Sequence, residues 1–76
     1  MKRGPSEAEL DALTAWWKGK RHIGKAALIL GLARQTVANH LMSLRRIEDA
    51  TDNVELALRY LDEIERRWPT VLQRAA

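Results

Sequence analysis

The sequence predicts an all-α fold: a four-helix helix-turn-helix domain in which a three-helix core carries a longer fourth helix. Three observations predict it. Apolar residues recur at i, i+3, i+4 and i+7 in successive stretches, which is the period of a helix with one buried face. Leu30-Gly31-Leu32 interrupts the middle of the pattern with a glycine suited to the left-handed end of a helix. Ser6 with Glu9, and Asp52 with Glu55, have the spacing of a capping box at a helix start.

Residues 1–5 read as a flexible arm and residues 6–68 as the domain. The first helix runs from Ser6 to about Lys18, with Leu10, Leu13 and Trp17 as the core stripe and Ala12 and Trp16 at its margin. Gly19 ends it, and Lys18-Gly19-Lys20-Arg21-His22 forms a basic loop. The second helix spans Ile23 to Leu30, with Ile23, Ala26, Ala27 and Leu30 inward and Lys25 outward. No Ser, Thr or Asn caps its start; His22 and Ile23 are the candidates for that place. Leu32 is expected to plug the turn into the core. The third helix continues from Arg34 to about Glu48, with Val37, Leu41, Leu44 and Ile47 on its inner face and His40 half-buried beside them. The fourth helix runs from about Asn53 to Trp68, where Pro69 is expected to stop it, because the residue before a proline avoids the helical region. It carries two apolar stripes: Val54, Leu58, Leu61, Ile64 or Glu65, and Trp68 at near-heptad spacing, and the shorter Leu56 and Tyr60. Residues 69–76 form a tail with little signal.

A chain of 76 residues makes one small domain. It has no cysteine, hence no disulfide and no thiolate metal site, and its two histidines make no metal cluster. No apolar run approaches the ~20 residues of a membrane helix, and the basic start has no apolar stretch after it, so a cytoplasmic protein is expected. There is no Gly-rich phosphate loop, no Ser/His/Asp set and no His-Glu-x-x-His, so the chain does not read as an enzyme, and no cofactor is expected. Asp62, Glu63 and Glu65 are a solvated helix face.

The net charge of +3 conceals a segregation. From Ala12 to Ile47 there are seven Lys and Arg residues and no Asp or Glu, whereas from Glu48 onward the carboxylates outnumber the cations. A carboxylate-free block that coincides with a helix-turn-helix is the electrostatic footprint of a polyanion binder.

The run Leu30-Gly31-Leu32, Thr36-Val37, His40-Leu41 and Leu44 resembles the helix-turn-helix of the LuxR/FixJ-type (GerE-like) transcriptional regulators, and the resemblance extends back to Glu9 and Trp17 and forward to Asn53-Val54-Glu55. It implies a DNA-binding transcription regulator whose recognition helix, residues 34–48, lies in the major groove. Gln35, Ala38, Asn39 and Met42 face outward on that helix and are the candidate base readers; the resemblance implies the same for Ala38, Asn39 and Met42. Asn39 and Gln35 have the side-chain amide that pairs bidentately with adenine, and Ala38 and Met42 suit a thymine methyl. The family often carries Lys at the place of Ala38, and Ser or Thr at the place of Ala33. Lys20, Arg21, Lys25, Arg34, Thr36, Arg45 and Arg46 are the candidate phosphate contacts. Resemblance further implies a homodimer through the fourth helix, with Leu56, Tyr60, Glu63 and Arg67 at the interface. The competing expectation is a small protein-interaction module, docking on a larger transcription regulator or RNA polymerase through Leu56, Tyr60, Trp16 and Trp68.

Overall fold

A computed structural model of the protein describes residues 3–74. Five helices follow one another: α1 (Glu7–Lys18), α2 (Ile23–Leu30), α3 (Arg34–Glu48), α4 (Asn53–Arg59) and α5 (Leu61–Arg74). All-α is therefore correct, and the single fourth helix expected from the sequence is two helices.

The packing is built on α1, which contacts each of the other four helices. Ala12, Leu13, Thr14 and Ala15 are consecutive and completely buried, and Trp16 nearly so. A helix covered on every side needs apolar or internally satisfied residues all round it. The stripe expected from Leu10, Leu13 and Trp17 is narrower than this buried surface. Trp16 is the core tryptophan; Trp17 is half-buried beside it, the two rings 6.4 Å apart between centroids.

The polar groups that α1 buries all have partners. Thr14 Oγ1 donates to the Leu10 carbonyl at 2.8 Å. The Ser6–Glu9 capping box closes in both directions, as its spacing predicts. Arg3 lies on the Glu9 carboxylate at 3.0 and 3.2 Å and donates to Ser43 Oγ, so this part of the expected arm is tied to α1 and α3; Met1 and Lys2 lie outside the described residues. Burial pushes the Glu9 carboxyl up, but the hydrogen bonds from Arg3 and Ser6 outweigh it and bring it down to about 2. Asp11 accepts from Arg67 at 3.2 Å and from Arg74 at 2.6 Å.

The α2–α3 connection matches the sequence-based expectation closely. Gly31 adopts φ 67° and ψ 33°. The Leu32 amide bonds the Ala27 carbonyl at 3.0 Å and the Gly31 amide bonds the Leu28 carbonyl at 3.3 Å, the paired closure of a Schellman motif. Leu32 does not plug the turn: it is 42% exposed, because the left-handed turn leaves its side chain at the rim of a cleft beside Ala27 and Leu28. Val37, Leu41 and Leu44 are buried on the inner face of α3 as expected, and Ile47 and His40 are half-buried. Asp49, at φ 53°, ends α3 with the same paired closure.

The break between α4 and α5 falls at Tyr60. Its amide closes on the Ala57 carbonyl at 3.1 Å, and its own carbonyl accepts from the Ile64 amide at 2.8 Å, so one residue ends a helix and starts the next. The bend lets Leu56, Ala57, Ile64 and Val71 all reach the core. Pro69 does not stop α5; it sits inside it, on the exposed face. A proline there removes one backbone bond from the helix. Contacts made further along α5 offset that loss: Val71 is 1% exposed in the core, and Arg74 is paired with Asp11. The expected tail is therefore helical as far as Arg74, and Ala75 and Ala76 lie outside the described residues. Among the described residues no helix is long and apolar enough to cross a membrane.

Arg67 joins three carboxylates: Glu7 at 2.6 Å, Glu63 at 2.8 Å and Asp11 at 3.2 Å. Its side chain is 16% exposed and that of Asp11 is 11% exposed. Removing Arg67 leaves Asp11 with Arg74 and Glu63 with Arg66, so neither of these carboxylates is stranded, but two charge-assisted bonds in a half-buried place are lost. Arg67→Ala is expected to destabilise the fold by about 1–3 kcal/mol. Arg66→Ala, whose side chain is largely in solvent, is expected to change stability by no more than about 0.5 kcal/mol. Urea unfolding of the two variants distinguishes this from equal effects at both sites.

Candidate nucleic-acid interface

The surface of α3 that the core does not use is a straight stripe. Gln35, Asn39, Met42 and Arg46 are all exposed and lie four, three and four residues apart. Ala38, at the edge of the stripe, is half-buried. Arg34 to Arg46 spans about 18 Å at 1.5 Å per residue. Gln35 Nε2 donates to Asn39 Oδ1 at 2.9 Å. That bond pre-orients both amides at the start of the stripe and leaves donors and acceptors on each of them.

The ion pairs of the protein leave this surface alone. Among the described residues the paired cations are Arg3, Lys18, Arg59, Arg66, Arg67 and Arg74. Lys20, Arg21, Lys25, Arg34, Arg45 and Arg46 enter no ion pair there, and they are the six cations between Gly19 and Ile47. All but Arg45 are exposed; Arg45 is half-buried and hydrogen-bonded to the Asn53 side chain, so its guanidinium is partly engaged.

Close packing against two glycines positions two of the cations. Gly24 sits under the side chains of His22 and Arg34: a Cβ there would lie 2.9 Å from His22 Cε1 and 3.3 Å from Arg34 Nε. Lys25 packs over Gly19 in the same way, which brings it beside the α1–α2 loop. In that loop Lys20 and Arg21 both adopt left-handed backbone, at φ 60° and 59°. Arg21 lies over the Trp17 ring, 5.9 Å from its centroid, within cation–π range.

Two helix starts lie in this segment of the chain. His22 takes the cap position of α2, and its Nδ1 accepts the Lys25 amide at 3.3 Å. The missing Ser, Thr or Asn is thus replaced by an imidazole. Ala33 precedes α3 and makes no side-chain cap bond, so the amides of the first turn of α3 keep their donor capacity. Thr36, in that turn, is half-buried.

The residues expected at a dimer interface behave differently. Leu56 is completely buried in the core and is not available to a partner. Tyr60 is half-buried and donates to Glu48 at 2.6 Å; burial, reinforced by that carboxylate, pushes its hydroxyl up to about 12. Glu63 and Arg67 are bonded to each other and to neighbours in the same chain. The apolar residues that α4 and α5 do expose are Val54, Leu58, Leu61 and Leu72. Of the competing docking set, Trp16 is buried and Trp68 half-buried.

Sequence reasoning missed the partnership of Trp17 with Arg21, although their i, i+4 spacing across Gly19 was open to reading. It also missed how far Leu28 stands out, at 82% exposure. No family model matches the chain, and no curated protein and no solved structure matches it.

This surface offers hydrogen-bond donors and fixed positive charge, with no carboxylate among the residues that form it. That chemistry holds phosphate oxygens. The left-handed conformation of Lys20 costs roughly 1 kcal/mol that a glycine does not incur. Lys20→Gly is therefore expected to raise the melting temperature while removing one cation from the surface. A fall in Tm on thermal unfolding contradicts this account of the loop.

Proposed function

We propose that the protein is a sequence-specific, double-stranded DNA-binding regulator of transcription acting in the cytoplasm. In this reading α2, the Gly31 turn and α3 are a helix-turn-helix, and α3 lies in the major groove. The observation that carries the reading is the segregation of charge: the cations without an ion pair among the described residues all lie in the α1–α2 loop, α2 and α3, and carboxylates pair with cations elsewhere. The resemblance of Leu30-Gly31-Leu32 and Thr36-Val37 with His40-Leu41 to LuxR/FixJ-type regulators supports it.

The roles rest on reach and chemistry. Gln35 and Asn39 present paired amides to base edges, and Met42 presents an apolar end to a thymine methyl. Ala38 is small enough to let the helix approach. Arg34 and the amides after Ala33 hold a phosphate at one end of the groove, Arg46 holds one at the other, and Lys20, Arg21 and Lys25 track the flanking strand. Two copies bind as a homodimer on a two-fold site, through the exposed Leu58 and Leu61 rather than through the buried Leu56.

The test is a pair of variants measured by fluorescence anisotropy on a selected duplex and on random duplex. Asn39→Ala is expected to weaken selected binding by about 1–3 kcal/mol and to leave random binding nearly unchanged. Arg46→Ala is expected to weaken both alike. With about five phosphates engaged, the log–log salt slope is expected near −4 to −5. Absence of binding to any duplex at low salt, or equal losses on both duplexes for Asn39→Ala, refutes the assignment.

A further inference from the structure

Among the described residues the most exposed large apolar side chain is not on α4 or α5. Leu28, on α2, is 82% exposed. It lies with Leu32, Ala27, Gly24, His22, Lys25 and Arg34 around an open cleft of about 310 Å³. Leu28 sits one turn beyond Lys25 on the same face of α2, and the Schellman closure holds Leu32 at the rim of the same cleft. Two leucines thus line one cleft together with two cations that have no ion pair among the described residues. Phosphate binding gives no reason for a leucine so far out in water.

We propose that this cleft is a docking site for an acidic amphipathic helix of a partner protein. The charge of the rim decides the occupant. Lys25 and Arg34 flank the leucines and no carboxylate lines the cleft, so a segment with apolar anchors at i and i+3 or i+4 and glutamate or aspartate beside them matches it in both respects. The exposed apolar pair at the α4–α5 bend does not match. Around Leu58 and Leu61, Arg59 and Arg66 balance Asp62 and Glu63, so a second copy brings no net negative charge to the cleft. Lys25 and Arg34 are also phosphate contacts in the proposed function, and on that reading the docked helix and the duplex exclude each other. The partner then acts as a competitive inhibitor of DNA binding.

The experiment uses the full chain and a fluorescein-labelled synthetic amphipathic helix with leucines at i and i+4 and glutamates flanking them. Two control peptides carry glutamine for glutamate, or the same composition scrambled. The acidic amphipathic peptide is expected to bind, and each control is expected to bind at least ~10-fold more weakly. Leu28→Ser and Lys25→Ala are expected to weaken the acidic peptide by a similar factor, and Leu72→Ser, at an exposed position of α5 outside the cleft, to leave it unchanged. Leu28 and Lys25 are exposed, so circular dichroism is expected to show both variants folded. Equal binding of the three peptides, no binding of any, or insensitivity to Leu28→Ser overturns the proposal. A change from dimer to monomer in sedimentation of Leu28→Ser also overturns it, because the occupant is then a second copy. Competition is read separately, by displacement of labelled duplex with unlabelled peptide. Peptide binding without duplex binding removes the proposed function and leaves the docking site. Duplex binding that the peptide does not displace removes the exclusion.

Discussion

The structure depends on α1 being enclosed. A helix with eight consecutive buried residues, Glu9 to Trp16, has no solvent face to carry its polar groups. Each buried polar side chain is therefore answered by another group: Glu9 by Arg3 and Ser6, Thr14 by its own helix backbone, Asp11 by Arg67 and Arg74. Leaving a buried carboxylate without a partner costs several kcal/mol, so these bonds fix where α5 lies along α1 as well as adding to stability. The continuation of α5 past Pro69 belongs to the same constraint. Arg74 can reach Asp11 only if the helix goes on, and Val71 seals the core on the way.

That arrangement also sorts the charges. The carboxylates of α1, α4 and α5 are largely occupied by Arg3, Lys18 and the arginines of α4 and α5. The α1–α2 loop, α2 and α3 contain no carboxylate until Glu48, so their cations have no neighbour of opposite sign in the same segment. Cations that follow one another along the chain with no carboxylate between them repel one another and lower stability, and the left-handed Lys20 and Arg21 add backbone strain in the α1–α2 loop.

Much of this is legible in the sequence, and the failures have a common cause. The capping box at Ser6, the left-handed Gly31 and the inner face of α3 rest on local chemistry, which a sequence states directly. The helix bounds of α2 and α3 are legible for the same reason. The region after Asn53 misleads because two apolar stripes compete. Val54, Leu58 and Leu61 look the stronger by residue size, but Leu56, Ala57, Ile64 and Val71 are buried. Ala57, Ile64 and Val71 stand seven residues apart, a heptad hidden by the smallness of its first member and by the proline before its last. Which stripe turns inward is decided by docking on α1, and no local signal reports that. Trp16 and Trp17 exchange roles for the same reason: a helix buried all round has no single stripe. Leu56 and Arg67 as interface residues, and Leu32 as a core plug, fail with it. His22 as a cap is a substitution of one acceptor for another, visible only once its ring is seen accepting the Lys25 amide.

The most direct measurement is amide chemical-shift mapping by NMR as duplex DNA is added to the labelled protein at low salt. Shifts concentrated at Lys20 to Lys25 and Arg34 to Met42, with Ile64 to Arg74 unmoved, are what this account predicts. Shifts concentrated on α4 and α5, with the first two turns of α3 silent, contradict it.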